Sequence, residues 1–150
     1  MKKLLLALSL ASGVRAERGD VYANVPDWEL AWLGKTLAIA PGPTVVFGHQ
    51  CLDPSADPNH LVRNAAAVRE VLERSGKVAA VFTGHEHNGG GCVHNGIFCY
   101  TLRALVKASL PASNGFAGVE IYPSGLIRVT GFAKAASRTN GKNEILKTTI

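Results

Sequence analysis

Two stretches of sequence decide the fold: VVFGHQ at residues 45–50 and KVAAVFTGHEHNGG at residues 77–90. Each begins with a run of apolar, β-branched or aromatic residues that is too short for a helix and therefore predicts a buried strand. Each run then ends in Gly-His, and a run of glycines comes soon after the second. The two stretches thus predict both the centre of a sheet and the loops at its edge.

Helical patterns precede both strands. Residues 27–40 and 59–74 carry apolar residues at helical spacing, and each pattern stops at helix-ending residues, Pro-Gly-Pro in the first case and Gly76 in the second. Strands separated by helices pair in parallel through helical crossovers. The sequence therefore predicts two strand–helix units in one sheet.

The rest of the chain has the pattern of antiparallel strands rather than of strand–helix units. Three strand-like runs occupy residues 97–102, 116–122 and 126–132, and a Pro-Ser-Gly turn joins the last two as a hairpin. The predicted fold class is α/β, with two strand–helix units followed by antiparallel strands. We expect the folded domain to cover residues 17–135 and a polar tail to follow at residues 136–150.

The composition fits one folded domain. Of the 150 residues, 47% are hydrophobic and 18% are charged, which excludes a mainly disordered chain. No apolar run reaches the roughly 18 residues that a membrane span needs. We therefore expect no membrane-spanning segment.

The first 16 residues, MKKLLLALSLASGVRA, have a basic start, a short apolar stretch and small residues before Ala16. This pattern predicts a secretory signal peptide and a secreted or periplasmic protein. The alternative is a buried strand or the start of a helix in a cytoplasmic protein.

The net charge gives little support to nucleic-acid binding. The formal charge is +5, but without the basic residues of the first 16 it falls to +2. The remaining Lys and Arg residues are scattered, and no basic run is flanked by aromatic residues. We expect no nucleic acid as a binding partner.

Three cysteines, Cys51, Cys92 and Cys99, make an odd number without a CxxC pair. This argues against a disulfide framework and favours isolated buried thiols. The alternative is a disulfide bond between Cys92 and Cys99, which requires that their strands or loops meet.

Histidines at the strand ends are the candidate functional residues. His49 and His85 each follow a Gly at the end of a predicted strand, and His87 comes two residues later. Ligands bind at the carboxyl ends of strands in open α/β sheets, and imidazole suits zinc, iron and similar divalent ions. We expect these three rings to converge, whereas His60 and His94 are expected to face solvent and not to bind a metal.

Residues from about 28 to 137 resemble the C-terminal half of calcineurin-like metallophosphoesterases. The resemblance rests on VVFGHQ, on VFTGHEHNGG at residues 81–90 and on GVEIYPSGLIRVTGF at residues 118–132. It implies half of a metallophosphoesterase-type α/β sandwich, with divalent metal ions at its edge that assist hydrolysis of a phosphate ester. By the same resemblance, His49 and His85 bind one metal and His87 binds the other.

The chain departs from that family in one respect. The DxH, GDxxD and GNH[DE] motifs, which supply the carboxylate that bridges the two metals, do not occur. Two dications about 3.5–4 Å apart repel one another strongly when only neutral imidazoles surround them. We therefore expect one divalent ion (Mn, Fe or Zn) rather than two.

Three polar residues near these histidines have alternative interpretations. Asp53 either orients an imidazole or is a turn residue, and its place before a Pro favours the turn. Asn88 binds a phosphate oxygen or belongs to a turn. Glu86 is expected to point away from its neighbours if its segment is extended.

These features predict a hydrolase of phosphate esters that is incomplete, and weakly active or inactive as an isolated chain. The enzyme would act with a half supplied by another chain. Because half a sandwich leaves apolar surface uncovered, we expect either a homo-oligomer or a missing N-terminal half. The alternatives are a non-catalytic remnant and a secreted interaction module that binds one metal or none.

Overall fold

The computed structural model describes residues 24–105 and 114–141, together with the backbone of residues 6–10. The strands in these residues, in chain order, are β1 (Leu6–Leu10), β2 (Thr44–Gly48), β3 (Val78–Thr83), β4 (Gly90–His94), β5 (Ile97–Thr101), β6 (Gly115–Ile121), β7 (Ile127–Ala133) and β8 (Arg138–Thr139). The helices are α1 (Asp27–Ala38) and α2 (Ala65–Ser75).

The strands form two sheets. The first has the order β1-β2-β3-β5-β4, in which neighbours are parallel except for the antiparallel pair β4 and β5. The second is the antiparallel sheet β6-β7-β8. The predicted α/β architecture, parallel first and antiparallel after, is confirmed.

The larger sheet is buried on both faces, because successive side chains of a strand point to opposite sides. On one face, Val46 and Val81 join a core with the two helices. On the other face, Val45 and Phe82 join a core with the second sheet. The core beneath the helices includes Leu33, Leu37, Val68 and Leu72, and the core between the sheets includes Phe98, Tyr100, Ile127 and Val129.

The second helix starts later than predicted. Residues 58–60 form a separate 3₁₀ turn, in which the carboxylate of Asp57 accepts a hydrogen bond of 2.9 Å from the backbone N–H of Asn59. Leu61 then pairs with Cys51 in an extended bridge. A capped turn that begins with Pro58 satisfies its own backbone groups and leaves helix formation to Ala65.

Two strands were missing from the sequence prediction. β4 folds back on β5 through Asn95 and Gly96, both with positive φ. Asn-Gly is the dipeptide that such two-residue hairpin turns favour, so the signal was present in the sequence. β8 lies in the segment predicted to be a polar tail, where Arg138 and Thr139 pair with β7 instead of fraying.

The N-terminal apolar segment contributes a strand. Leu6–Leu10 pairs in parallel with β2, so this stretch forms a strand, as one of the two alternatives to a signal peptide expected. Residues 1–5 and 11–16 lie outside the described residues, so cleavage of a signal peptide stays a prediction. Within the part of the chain that the structure describes, no helix combines the length and apolar character needed to cross a membrane.

All three cysteines are free thiols. Cys92 and Cys99 lie directly opposite one another on β4 and β5. Burial raises the pKa of both thiols above the ordinary range, so both stay protonated and weakly nucleophilic at neutral pH. The three thiols are thus free, but Cys92 and Cys99 are neighbours on adjacent strands and not isolated.

The packing of α1 can be tested with two substitutions in the same helix region. Leu33 is fully buried, whereas the side chain of Ile39 is 83% exposed. We expect Leu33→Ala to lower the free energy of unfolding by about 2–5 kcal/mol, because it leaves a cavity, and Ile39→Ala to change it by less than about 0.5 kcal/mol. Urea denaturation measures both; equal losses would contradict the docking of α1.

Candidate metal centre

The centre lies where the carboxyl ends of two strands come together. β2 and β3 are parallel neighbours, so the loops that follow them leave the sheet at the same edge. The rings of His49 and His85 lie there with their centroids 5.2 Å apart. The backbone N–H of Gly84 donates a 2.9 Å hydrogen bond to the carbonyl of His49, which ties the two loops together.

The loop from Gly84 to Gly89 is a tight turn, not the extended segment that the sequence suggested. The N–H of Glu86 donates to the carbonyl of Gly84 at 2.7 Å, and the N–H of Gly89 donates to the carbonyl of Glu86 at 2.9 Å. His85 takes a φ of 64°, a left-handed conformation that costs a non-glycine residue roughly 1–2 kcal/mol. Such strain is typical of functional sites.

The three expected histidines line one cavity. His49, His85 and His87 share a space of about 580 Å³ between the two sheets. Apolar side chains form most of its wall, namely Phe47, Phe82, Tyr100, Leu102 and Leu105. The structure therefore places the rings of His49 and His85 side by side, with His87 on the wall of the same cavity; that the three bind a metal stays a prediction.

The surroundings of His85 favour the neutral imidazole. Burial lowers the pKa of His85 from its ordinary value, and the nearby rings of His49, His60 and His87 lower it further, against the opposing effect of Glu86. Neutral imidazole is the form that binds metal ions. His85 is thus prepared as a ligand at neutral pH.

His60 lies next to His85, a contact that the sequence did not predict, while 36% of its side chain faces solvent. Its ring centroid is 5.8 Å from that of His85, and its Nδ1 contacts the carboxylate of Glu86. The capped turn at Pro58–His60 brings it there from the loop after β2. The Asp-Pro pair of that turn was the sequence signal, although it does not reveal where the turn docks.

Glu86 points into the structure and does not point away from its neighbours. It is buried, with an exposed fraction of 8%, and accepts a 3.0 Å hydrogen bond from the backbone N–H of Asn88. This hydrogen bond, together with the contact to His60, lowers the pKa of Glu86 below its usual value. The centre therefore contains one ionised carboxylate.

Asn88 and Asp53 both take part in local turns. The backbone and side chain of Asn88 are bonded to Glu86. The carboxylate of Asp53 accepts hydrogen bonds from the backbone N–H of Ser55 at 2.9 Å and from its hydroxyl at 2.6 Å. These contacts match the turn alternatives for both residues; a role for Asn88 in binding phosphate stays a prediction.

The imidazole nitrogens of His49, His85 and His87 are of the kind that a borderline divalent ion prefers. Two imidazoles bound at about 2.1 Å to one tetrahedral ion have ring centroids about 5.2 Å apart, and His49 and His85 have this spacing. As they stand, no three His, Cys, Asp or Glu side chains of the described residues are drawn together tightly enough to hold an ion.

An arginine lies beside the histidines. Arg103 follows β5 and lines the same cavity. Its Nε is buried and has no hydrogen-bond partner among residues 24–105 and 114–141. A buried donor without a partner costs about 1–3 kcal/mol, so this arginine favours an anionic ligand in the cavity.

Comparison with known proteins identifies relatives that cover most of the chain. No protein-family model matches it. It is 31% identical over 106 residues to a manganese-dependent ADP-ribose/CDP-alcohol diphosphatase from Oryza sativa subsp. japonica. The matched region covers 67% of this chain and 33% of that protein. It is 30% identical over 104 residues to the protein of the same name from Danio rerio, with 66% and 32% covered. The chain thus spans about one third of the length of these curated relatives.

A solved structure agrees with these relatives. The crystal structure of a dimetal phosphatase from Danio rerio superposes with a TM-score of 0.73 at 25% identity, covering 78% of this chain and 38% of that one. The fold is therefore that of part of a dimetal phosphatase, which confirms the fold that the sequence resemblance implied.

The strained loop can be tested at two adjacent glycines. Gly89 has a φ of 70°, and a Cβ there would lie 3.1 Å from the backbone of Thr101 and Arg103, whereas a Cβ on Gly90 meets nothing within 4 Å. We expect Gly89→Ala to destabilise the protein by about 1–2 kcal/mol or more and Gly90→Ala by less than about 0.5 kcal/mol. Thermal or urea unfolding measures the difference; equal effects would contradict this loop conformation.

Proposed function

We propose that this chain carries the histidine ligands of a metal-dependent hydrolase of phosphate esters. One observation carries the proposal: His49 and His85 meet at the edge of a sheet, 5.2 Å apart, in a fold shared with a dimetal phosphatase. The relatives named as manganese-dependent diphosphatases support the same reaction class. For the substrate we propose an ester of a nucleoside diphosphate, since those relatives are named for ADP-ribose and CDP-alcohols.

In this proposal the chain's own residues bind the divalent ion and orient the phosphate ester. The neutral ring of His85 and the rings of His49 and His87 hold a divalent ion, which when bound stabilises charge on the phosphoryl oxygens. Arg103, whose Nε has no partner among the described residues, binds a phosphate oxygen by a charge-assisted hydrogen bond. The apolar wall of the cavity excludes water and accommodates the organic part of the ester.

The same proposal includes low activity for the chain on its own. The DxH, GDxxD and GNH[DE] motifs are absent from the sequence, so no carboxylate from them can bridge two ions. Imidazoles are neutral and do not offset the repulsion between two dications. We therefore propose one bound ion for these residues, and full activity only when acidic ligands are supplied from outside this sequence.

A non-catalytic interaction module is the second candidate. An aromatic pair on the second sheet favours it: Phe116 and Phe132 stack with centroids 4.8 Å apart and are 61% and 45% exposed. An exposed aromatic pair is typical of surfaces that bind another protein.

Hydrolysis of an activated phosphodiester separates the two candidates. We expect Mn²⁺ to raise the hydrolysis rate by a small but measurable amount above background. The His85→Ala substitution should remove at least nine tenths of that increase, because His85 is one of the proposed metal ligands. His94→Ala is the matched control, since His94 ends β4 next to Glu73, away from the cavity. Equal rates for the unmodified protein and His85→Ala would reject the hydrolase and leave the interaction module.

A further inference from the structure

Two thiols face one another on the hairpin at the edge of the larger sheet. Cys92 lies directly opposite Cys99 in the antiparallel pair of β4 and β5, and residues paired in this way point to the same face of a sheet. The two side chains are hydrogen-bonded to each other, and both are partly exposed. The structure therefore brings together two cysteines that the proposed function does not use.

The spacing of such a pair suits a disulfide bond. Directly opposed residues of an antiparallel ladder have Cα atoms about 4.5–5.5 Å apart, and a disulfide needs a Cα separation of roughly 4.4–6.8 Å. The two-residue turn at Asn95 and Gly96 fixes the register that makes the two cysteines partners. Since β4 is the last strand in the described order of its sheet, a small movement toward β5 brings the sulfur atoms together and displaces no further strand of that sheet.

The third cysteine is kept apart from this pair. Cys51 is 1% exposed, and its sulfur lies 3.4 Å from the hydroxyl oxygen of Thr101. The backbone N–H of Asp53 donates a further hydrogen bond of 3.4 Å to the same sulfur. Because buried thiols of this kind are inert toward oxidants in solution, we expect the odd cysteine to stay reduced.

We propose that Cys92 and Cys99 form a site of reversible oxidation that closes to a disulfide bond, with a low-molecular-weight disulfide such as oxidised glutathione as the oxidant. The thiolate of Cys99 attacks one sulfur of the oxidant, whose S–S bond breaks, and one thiolate leaves and takes up a proton. Cys92 then loses its proton to water, and its thiolate attacks the Cys99 sulfur and releases the second thiol. Two protein thiols are thus oxidised while one oxidant molecule is reduced to two thiols, and nothing in this step depends on the proposed function.

The surroundings of the pair determine the order and the speed of these steps. Burial raises the pKa of both thiols, and the hydrogen bond between them raises the pKa of Cys92 further but lowers that of Cys99. Cys99 is therefore the first to ionise. Because few thiolates are present at neutral pH, the first attack is slow and we expect closure to take hours. The second attack is faster, because the two sulfur atoms are already neighbours.

Peptide mapping after oxidation tests the proposal. The folded protein is incubated overnight with excess oxidised glutathione, the remaining thiols are blocked with N-ethylmaleimide in denaturant, and the chain is digested with trypsin. Cys92 and Cys99 then fall in one peptide, residues 78–103, and Cys51 falls in another, residues 36–63. We expect the first peptide to be lighter by about 2 Da and to carry no blocking group, and the second to carry the blocking group.

Two serine substitutions are matched variants for this experiment. Cys92→Ser removes one partner, so the peptide of residues 78–103 should keep glutathione or the blocking group on Cys99. Cys51→Ser should oxidise like the unmodified protein, and far-UV circular dichroism checks that both variants are folded. The proposal is overturned if, in the unmodified protein, Cys92 and Cys99 both carry the blocking group, both carry glutathione, or are linked to Cys51.

Discussion

The parallel pairing of β2 and β3 is the constraint on which the rest of the structure depends. Parallel neighbours end at the same edge of a sheet, so the residues after Gly48 and Thr83 must leave it side by side. Val46 and Val81 hold these strands against the helices, and Val45 and Phe82 hold them against the second sheet. A register shift of one residue would exchange those faces and would carry His49 and His85 out of the cavity with them.

Charge is the second constraint on this edge. Burial, and after it the neighbouring imidazoles, disfavour protonation of His85 and lower its pKa. A cluster of neutral nitrogen donors binds one divalent ion readily, but it does not compensate the repulsion between two. The buried carboxylate of Glu86 supplies a single negative charge, and Arg103 on the cavity wall supplies a positive charge toward an anionic ligand. The proposed function accordingly places one ion and one phosphate group at this edge.

Local patterns in the sequence predicted most of the elements but not the way the loops dock. The strands at Thr44–Gly48 and Val78–Thr83 follow from short β-branched runs, and their order with the helices required parallel pairing. His60 was misplaced because its docking depends on contact with Glu86, 26 residues away, and on a turn that competes with the start of a helix. Glu86 was misplaced because the turn at His85 breaks the alternation that an extended segment would have. Spacing along the chain carries no information about such tertiary contacts.

The central claim, that histidines from two strand ends share one metal ion, is tested most directly by anomalous diffraction from crystals of the zinc-loaded protein. The account predicts one anomalous peak at the edge of the cavity, with ring nitrogens of both His49 and His85 about 2.0–2.1 Å away. A zinc peak elsewhere in the molecule, or one at this edge that only one of these two rings reaches, would contradict it.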